Sequence, residues 1–243
     1  MANPFVWTDL SSFDVAEARR FYGALFGWSY QDGEGADGAP YSFARSGWQA
    51  RAGIFEMPEK LQALNLPSFW MSYIRVASVD DAVDTARGFA DAIIEVPPTA
   101  FDAQRRIALI RDPSGAGFTV YEGPDLGARA ETHGGHSWNV HHSGNAAAIE
   151  AFYAALFDWR FADQGQGVFE IRDAEGAAIA HAEQVEDALR GGFQYWMPVF
   201  AVEDIDVAER VAQQAGGEVS HRFEDGRVML RDGQGASLLI RAI

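Results

Sequence analysis

The sequence predicts an α+β protein of two tandem domains, each holding two βαβββ units. Three observations lead there. Residues 7–28, WTDLSSFDVAEARRFYGALFGW, return as residues 138–159, WNVHHSGNAAAIEAFYAALFDW, at a constant offset of 131 (138 against 7). Phe21, Tyr22, Ala24, Leu25, Phe26 and Trp28 recur as Phe152, Tyr153, Ala155, Leu156, Phe157 and Trp159, so no gap is needed. Each half of the repeat then shows the same alternation of one helical and several strand-like stretches twice over. Finally, 243 residues with 48% hydrophobic and 22% charged residues suit two globular domains, each large enough to bury a core. An internal repeat settles domain count before any local argument. It gives domain 1 at 1–123, a Gly-rich linker at 124–135 and domain 2 at 136–243.

In order along the chain, residues 5–10 are short and apolar-rich and end before two serines, so they read as a strand. Apolar residues at Val15, Ala18, Phe21, Tyr22, Leu25 and Phe26 follow the i, i+3, i+4 spacing of an amphipathic helix. Asp14 is placed to cap it and Gly27 to stop it. Strands are expected at 28–31, 41–45 and 49–55, around a polar, turn-rich loop at 32–40. Residues 57–67 carry two prolines and read as a connection. The aromatic and branched stretch 69–76 is the next strand. Asp80 or Asp81 is expected to cap a helix over 82–92, with Ala82, Ala86 and Phe89 inward. Strands at 93–96, 106–111 and 117–121 follow, split by Pro97-Pro98 and by the Asp112-Pro113-Ser114-Gly115 turn.

The second half repeats the pattern. A strand at 136–142 precedes a helix at 145–157, and strands are expected over 160–172 and 177–184. The last unit has a strand at 195–202, a helix at 205–215 ended by Gly216-Gly217, and strands at 218–223, 227–231 and 236–241. Asp232-Gly233-Gln234-Gly235 stands where the DPSG turn stood in domain 1.

Composition excludes several classes. Without cysteine there is no disulfide, thiolate metal site or cysteine nucleophile. The formal charge of −16, from 35 acidic and 19 basic residues, repels phosphate backbones and anionic lipid, so neither nucleic acid nor membrane is an expected partner. No apolar run approaches a membrane span, and the N-terminus lacks the pattern of a secretory signal, so a cytoplasmic location is expected. Neither a G-x-S-x-G nucleophile elbow nor a G-x-x-x-x-G-K phosphate loop is present.

A first strand, then D-x-x-x-A-x-x-FY-x-x-LFGW, later VDDA and a closing DPSG-x-GF, resembles the vicinal oxygen chelate superfamily, which includes glyoxalase I, bleomycin-resistance proteins and extradiol dioxygenases. The resemblance covers nearly the whole chain in two tandem copies. It implies two glyoxalase-like domains, each a cupped mixed sheet with helices outside and a ligand cavity inside. It also implies, for catalytic members, a divalent metal held by His, Gln and Glu side chains. Carried onto this chain, the ligand position on the first strand falls on Trp7 and Trp138. That on the first strand of the following unit falls on Met71 and Met197. That after the DPxG turn falls on Thr119 and Leu239. Indole and leucine cannot ligate, thioether is a poor partner for hard or borderline ions, and a neutral hydroxyl is weak. A fourth position lies near His181. No metal or other cofactor is therefore expected, with a divalent ion as the alternative.

Strand alternation places Asp9 on one face with Trp7, and Tyr73 with Met71, and Tyr121 with Thr119. Trp7, Met71, Tyr73 and Tyr121, with Asp9 and Thr119 as polar points, make a wall suited to a small organic molecule. In domain 2 the corresponding wall is Trp138, His142, His181 and Met197. Asp9, shielded there, is the candidate catalytic residue: a general base, or a grip for a cationic or hydroxyl-bearing ligand. His133, His136, His141 and His142 are close in sequence, yet His141 faces away from His136 and His142, and all four read as surface or cavity-rim residues. The chain is thus expected to bind a small, partly aromatic molecule as a monomer or homodimer. The alternatives are a glyoxalase- or dioxygenase-type enzyme, or an interaction module whose cups are packed shut.

Overall fold

The computed structural model describes residues 3–35, 38–63, 66–127 and 129–243. The first half runs β1 (Phe5–Ser12), α1 (Val15–Phe26), β2 (Ser29–Glu34), β3 (Pro40–Ser46), β4 (Gln49–Glu56), the one-turn helix α2 (Glu59–Gln62), β5 (Phe69–Arg75), α3 (Val79–Ala86), β6 (Ile93–Ala100), β7 (Arg106–Arg111) and β8 (Gly117–Glu122). The second runs β9 (His136–Ser143), a 3-10 turn (Ala146–Ile149) leading into α4 (Glu150–Phe157), β10 (Arg160–Gly165), β11 (Val168–Arg172), β12 (Ala178–Gln184), the one-turn α5 (Asp187–Arg190), β13 (Tyr195–Val202), α6 (Ile205–Gln214), β14 (Glu218–Arg222), β15 (Val228–Arg231) and β16 (Ser237–Ala242).

Each half forms one eight-stranded sheet, in the orders β2-β3-β4-β1-β5-β8-β7-β6 and β10-β11-β12-β9-β13-β16-β15-β14. The two orders are the same once the second is renumbered, as four βαβββ units require. The sheets are mixed: β1 lies parallel to β4, and the β3–β4 hairpin is antiparallel. No helix among the described residues is long and apolar enough to cross a membrane.

Local chemistry explains the boundaries. Asp14 accepts a hydrogen bond from the Glu17 N–H, and Gly27 closes α1 in the left-handed region at φ 66°. Asp158 takes that conformation in the repeat, at φ 56°, where its short polar side chain is tolerated. Three expectations are corrected. Ser78, not Asp80 or Asp81, caps α3, because its hydroxyl accepts from the Asp81 N–H. That helix stops at Ala86 instead of reaching 92, its bonds tightening to Gly88→Thr85 and Phe89→Ala86. Strand β6 runs through Pro97 and Pro98, which an edge strand with a shifted register accommodates. The expected strands of 160–172 are β10 and β11, turned by Gln166 and Gly167 at positive φ.

Side chains pack into two compact units. One comprises residues up to Val6, Ser72–Asp125 and Asn139–Met197. Its core joins Ile74, Val83, Phe118 and Val120 to Phe152, Phe157, Trp159 and Trp196. The other comprises Trp7–Met71, Leu126–Trp138 and Pro198–Ile243, with Leu10, Phe21, Phe26, Trp28 and Trp70 packed on Phe200, Leu230 and Ile240. Each sequence half therefore carries one sheet, whereas each core draws on both halves.

A buried relay lies at the centre of each core. In the first, Trp196 Nε1 donates to Tyr153 Oη (2.7 Å), whose hydroxyl donates to Asp112 Oδ2 (2.9 Å). In the second, Trp70 donates to Tyr22 (3.2 Å) and Tyr22 to Asp232 Oδ2 (3.0 Å). The other carboxylate oxygen gathers the backbone N–H groups of its turn: Ser114, Gly115 and Ala116 for Asp112, Gln234 and Ala236 for Asp232. The relays differ in one residue. His141 Nε2 lies 3.0 Å from Asp112 Oδ2, while the equivalent position in the other relay is Leu10. Burial works against the charge of Asp112, but the hydrogen bond and charge of His141, with Ser114 and Tyr153, hold its carboxyl below the ordinary value. Burial pushes Asp232 up, only partly offset by the turn N–H groups and Tyr22.

The two aspartates consequently respond oppositely to pH. Asp112 stabilises the fold above the ordinary carboxylate value and loses that contribution as pH falls through its lowered folded value. Asp232, with a raised folded value, costs stability as pH rises through that value. Urea unfolding between pH 3 and 7 should show Asp112→Asn losing ~2–3 kcal/mol at neutral pH and flattening the acid limb. Asp232→Asn should lose distinctly less at neutral pH.

Candidate functional site

Every residue of β1 is buried, so both of its faces are covered. Leu10 points into the core with Ala52 and Ile54 of β4. Alternation puts Trp7, Asp9 and Ser11 on the opposite face. There Asp9 is in register with Gly53, and Ser11 with Phe55. On β3, Tyr41 pairs with Phe55 and Phe43 with Gly53.

Gly53 is what lets these residues meet. A Cβ at this position would stand 1.6 Å from the Tyr41 hydroxyl oxygen, so the phenol lies directly over the glycine. From there it accepts a hydrogen bond from Trp7 Nε1 (2.9 Å) and donates to Asp9 Oδ2 (3.3 Å). Burial, then the charge of Asp9, pushes the Tyr41 phenol well above its ordinary value, and it stays protonated at neutral pH. Tyr41, Phe43 and Phe55 are half-buried. Tyr41 stands 4.8 Å from Phe43 and is stacked on Phe55 at 6.1 Å. Trp7 and Asp9 are thus brought together as expected, but through Tyr41, which sequence reasoning missed. The available signal was Gly53 itself, since a glycine inside an apolar strand marks a close approach.

The remaining expected residues are placed as follows. Met71 is half-buried, its carbonyl accepting from Thr8 Oγ1 (3.1 Å). Tyr73 is in register with the buried Thr119. Tyr121 is buried, and its hydroxyl donates to the Pro124 carbonyl (3.0 Å), which ties it to the chain. Trp138 lies beneath the Arg129 guanidinium, 5.6 Å from the ring centre. Met197 is buried, and His181 is half-buried in register with Val140. His142 is fully buried beside Glu183, its register partner, at 3.5 Å, with the Tyr195 ring 5.7 Å away.

His136, His141 and His142 are all fully buried, which corrects their expected place at the surface or cavity rim. His141 does face away from His142, towards Trp196 and Asp112. The carboxylates beside His141 and His142, Asp112 and Glu183, come from a distant turn and strand, out of reach of local spacing. Among the described residues, no three His, Asp or Glu side chains are gathered as a metal set.

The repeat makes the two faces comparable position by position. Ser11 and Phe55 correspond to His142 and Glu183, and Gly53 corresponds to His181. The first face is aromatic and the second titratable, although both begin with tryptophan.

This geometry makes Gly53→Ala costly, by ~1–3 kcal/mol, because the new methyl must expel the Tyr41 phenol. Tyr41→Ala should relieve part of that cost in the double variant. Chemical unfolding of the two singles and the double measures this, and full additivity would show that the ring does not rest on Gly53.

Comparison with known proteins agrees with the fold. A family model for the Glyoxalase/Bleomycin resistance protein/Dioxygenase superfamily matches residues 5–120. The candidate glyoxylase CFP32 of Mycobacterium tuberculosis is 30% identical over 244 residues, spanning 95% of this chain and 91% of its own. The anthracycline biosynthesis protein DnrV of Streptomyces peucetius is 28% identical over 238 residues, spanning 90% and 84%. Among solved structures, the 2,3-dioxygenase LapB from Pseudomonas sp. KL28 superposes with a TM-score of 0.65 at 11% identity, covering 100% of this chain and 93% of that one. The Mn(II)-bound glyoxalase from Novosphingobium aromaticivorans gives 0.62 at 11% identity, covering 99% and 82%. At such identities the structures speak for the fold alone.

Proposed function

The chain belongs to the glyoxalase/bleomycin resistance protein/dioxygenase superfamily, and from that premise we propose that it binds a small, partly aromatic organic molecule on the Trp7–Asp9–Tyr41 face, without a divalent metal. The observation that carries this reading is the row of half-buried rings, Tyr41, Phe43 and Phe55, with the Tyr41–Asp9 hydrogen bond at its end. The rings offer stacking area, and Asp9 offers an acceptor for a hydroxyl or ammonium group. The name of DnrV, an anthracycline biosynthesis protein, supports a ring-bearing ligand.

A divalent metal does not fit the residues at the positions the resemblance assigns to its ligands. Trp7 brings an N–H that points at Tyr41, Met71 a thioether and Thr119 a neutral hydroxyl. In the second repeat Trp138, Met197 and Leu239 are no better.

A second reading, favoured by the Tyr41–Asp9 contact, is an enzyme acting on a small carbonyl compound. Asp9 would accept the proton, and Tyr41, held protonated, would turn its O–H to the developing oxyanion. The candidate glyoxylase CFP32 supports this reading by name.

Titration with an anthracycline, followed by quenching of tryptophan fluorescence, tests the first reading. Asp9→Asn and Trp7→Ala should each weaken binding about tenfold, roughly 1.4 kcal/mol, and prior dialysis against EDTA should leave affinity unchanged. Stoichiometric zinc, nickel, iron or manganese whose removal abolishes binding would overturn it. Turnover of a small carbonyl compound that is lost in Asp9→Asn would establish the second.

A further inference from the structure

We propose that Arg51 is the centre of a binding site for a small oxyanion, the carboxylate or phosphate group of a ligand, separate from the Trp7–Asp9–Tyr41 face. Arg51, on β4, is 3% exposed. Its Nη2 donates to Gln49 Oε1 (2.7 Å) and Thr132 Oγ1 (3.3 Å). Its Nε and Nη1 are buried and meet no acceptor. No carboxylate among the described residues forms an ion pair with it, and burial alone pulls the guanidinium below its ordinary value. Internal water would satisfy the N–H groups but leave the charge uncompensated, and an uncompensated buried charge is destabilising. An oxyanion answers both needs, and guanidinium matches carboxylate and phosphate geometry.

The duplication shows that the fold does not need this charge. The β3–β4 pairing skips Arg51, passing from Ala44↔Ala52 to Arg45↔Ala50. The β11–β12 pairing skips Ile179 in the same way, passing from Ile171↔Ala180 to Arg172↔Ala178. Arg51 and Ile179 thus occupy the same bulge position, and Ile179 is 4% exposed within an apolar core. An aliphatic side chain suffices there. Acidic partners were abundant too, with 35 Asp and Glu in the chain, yet among the described residues none forms an ion pair with Arg51. Arg51 takes part in none of the contacts among Trp7, Asp9 and Tyr41, so this site stands or falls independently of the proposed aromatic ligand.

Thermal unfolding of the whole protein in an anion-poor zwitterionic buffer tests the site, with inorganic phosphate in one arm and acetate in the other. The wild type should gain about 4 °C or more at saturation with at least one of them, and the effective anion shows whether a phosphate or a carboxylate group is taken. Arg51→Ile and Arg51→Met should lose that increment, keeping only the general salt effect, and should be at least as stable as the wild type without added anion. Equal increments in wild type and variants would overturn the proposal. So would variants that both unfold below the wild type in anion-poor buffer, because Arg51 would then be structural.

Discussion

The tyrosine–aspartate hydrogen bond at the heart of each core is the constraint on which the rest of the structure depends. A phenol and a carboxylate are both costly to bury alone, and here each is the other's partner. Tyr22 and Asp232 are 210 residues apart, and Tyr153 and Asp112 are 41 apart. The bond therefore joins a helix of one βαβββ unit to a turn of another. Because the carboxylate also collects the N–H groups of its own turn, it fixes the turn and the helix together. Indole N–H groups from Trp70 and Trp196 close the chain of donors and leave neither phenol oxygen without a donor. Four groups are satisfied by three side chains and one stretch of backbone, which makes replacement of any one of them felt by the others.

Duplication has left the two relays chemically unequal. His141 stands against Asp112 with no exposure to solvent, and its ring meets Trp196 edge-on at 5.0 Å. Leu10 at the equivalent position leaves Asp232 to burial, which is why the two carboxyls shift in opposite directions. The same divergence appears on the opposite faces of the sheets. Positions filled by Ser11, Gly53 and Phe55 in one repeat are His142, His181 and Glu183 in the other. A fold that needs only alternation and volume at these positions has kept its apolar core in both copies while the faces turned away from the core changed character.

Much of this was legible in the sequence. The 131-residue offset gives four units, and apolar spacing gives α1 with its Asp14 cap and Gly27 stop. Two-residue alternation sends His141 to the other side from His142, as the structure has it. What escaped reading depends on contacts distant in sequence. Tyr22 and Tyr153 look like family signature residues, and nothing near them names Asp232 or Asp112 as partner. Tyr41 follows a polar loop, and its place over Asp9 rests on the β3–β4 register and on one missing Cβ at Gly53. Arg51 owes its position to a bulge, which alternation cannot anticipate. Asp80 and Asp81 drew attention from Ser78 because three capping-type residues stand within four positions and only backbone geometry distinguishes them.

Tryptophan at the head of β1 changes more than the size of the site. A side chain that ligates a metal turns a lone pair towards it, whereas an indole offers only a hydrogen. Trp7 spends that hydrogen on Tyr41, and Tyr41 in turn occupies an acceptor of Asp9. The polarity of the position is thereby inverted. Lone pairs that would face a cation are replaced by a directed chain of donors ending on one carboxylate, with rings on either side. Such a surface suits a molecule with its own ring and its own hydrogen-bonding edge. In the second repeat tryptophan heads the strand again, but an imidazole stands four residues further along at His142, with the Glu183 carboxylate opposite it on β12. The donor chain of the first repeat is not rebuilt in the second, where the register puts Val168 at the position of Tyr41 and Val140 at that of Asp9.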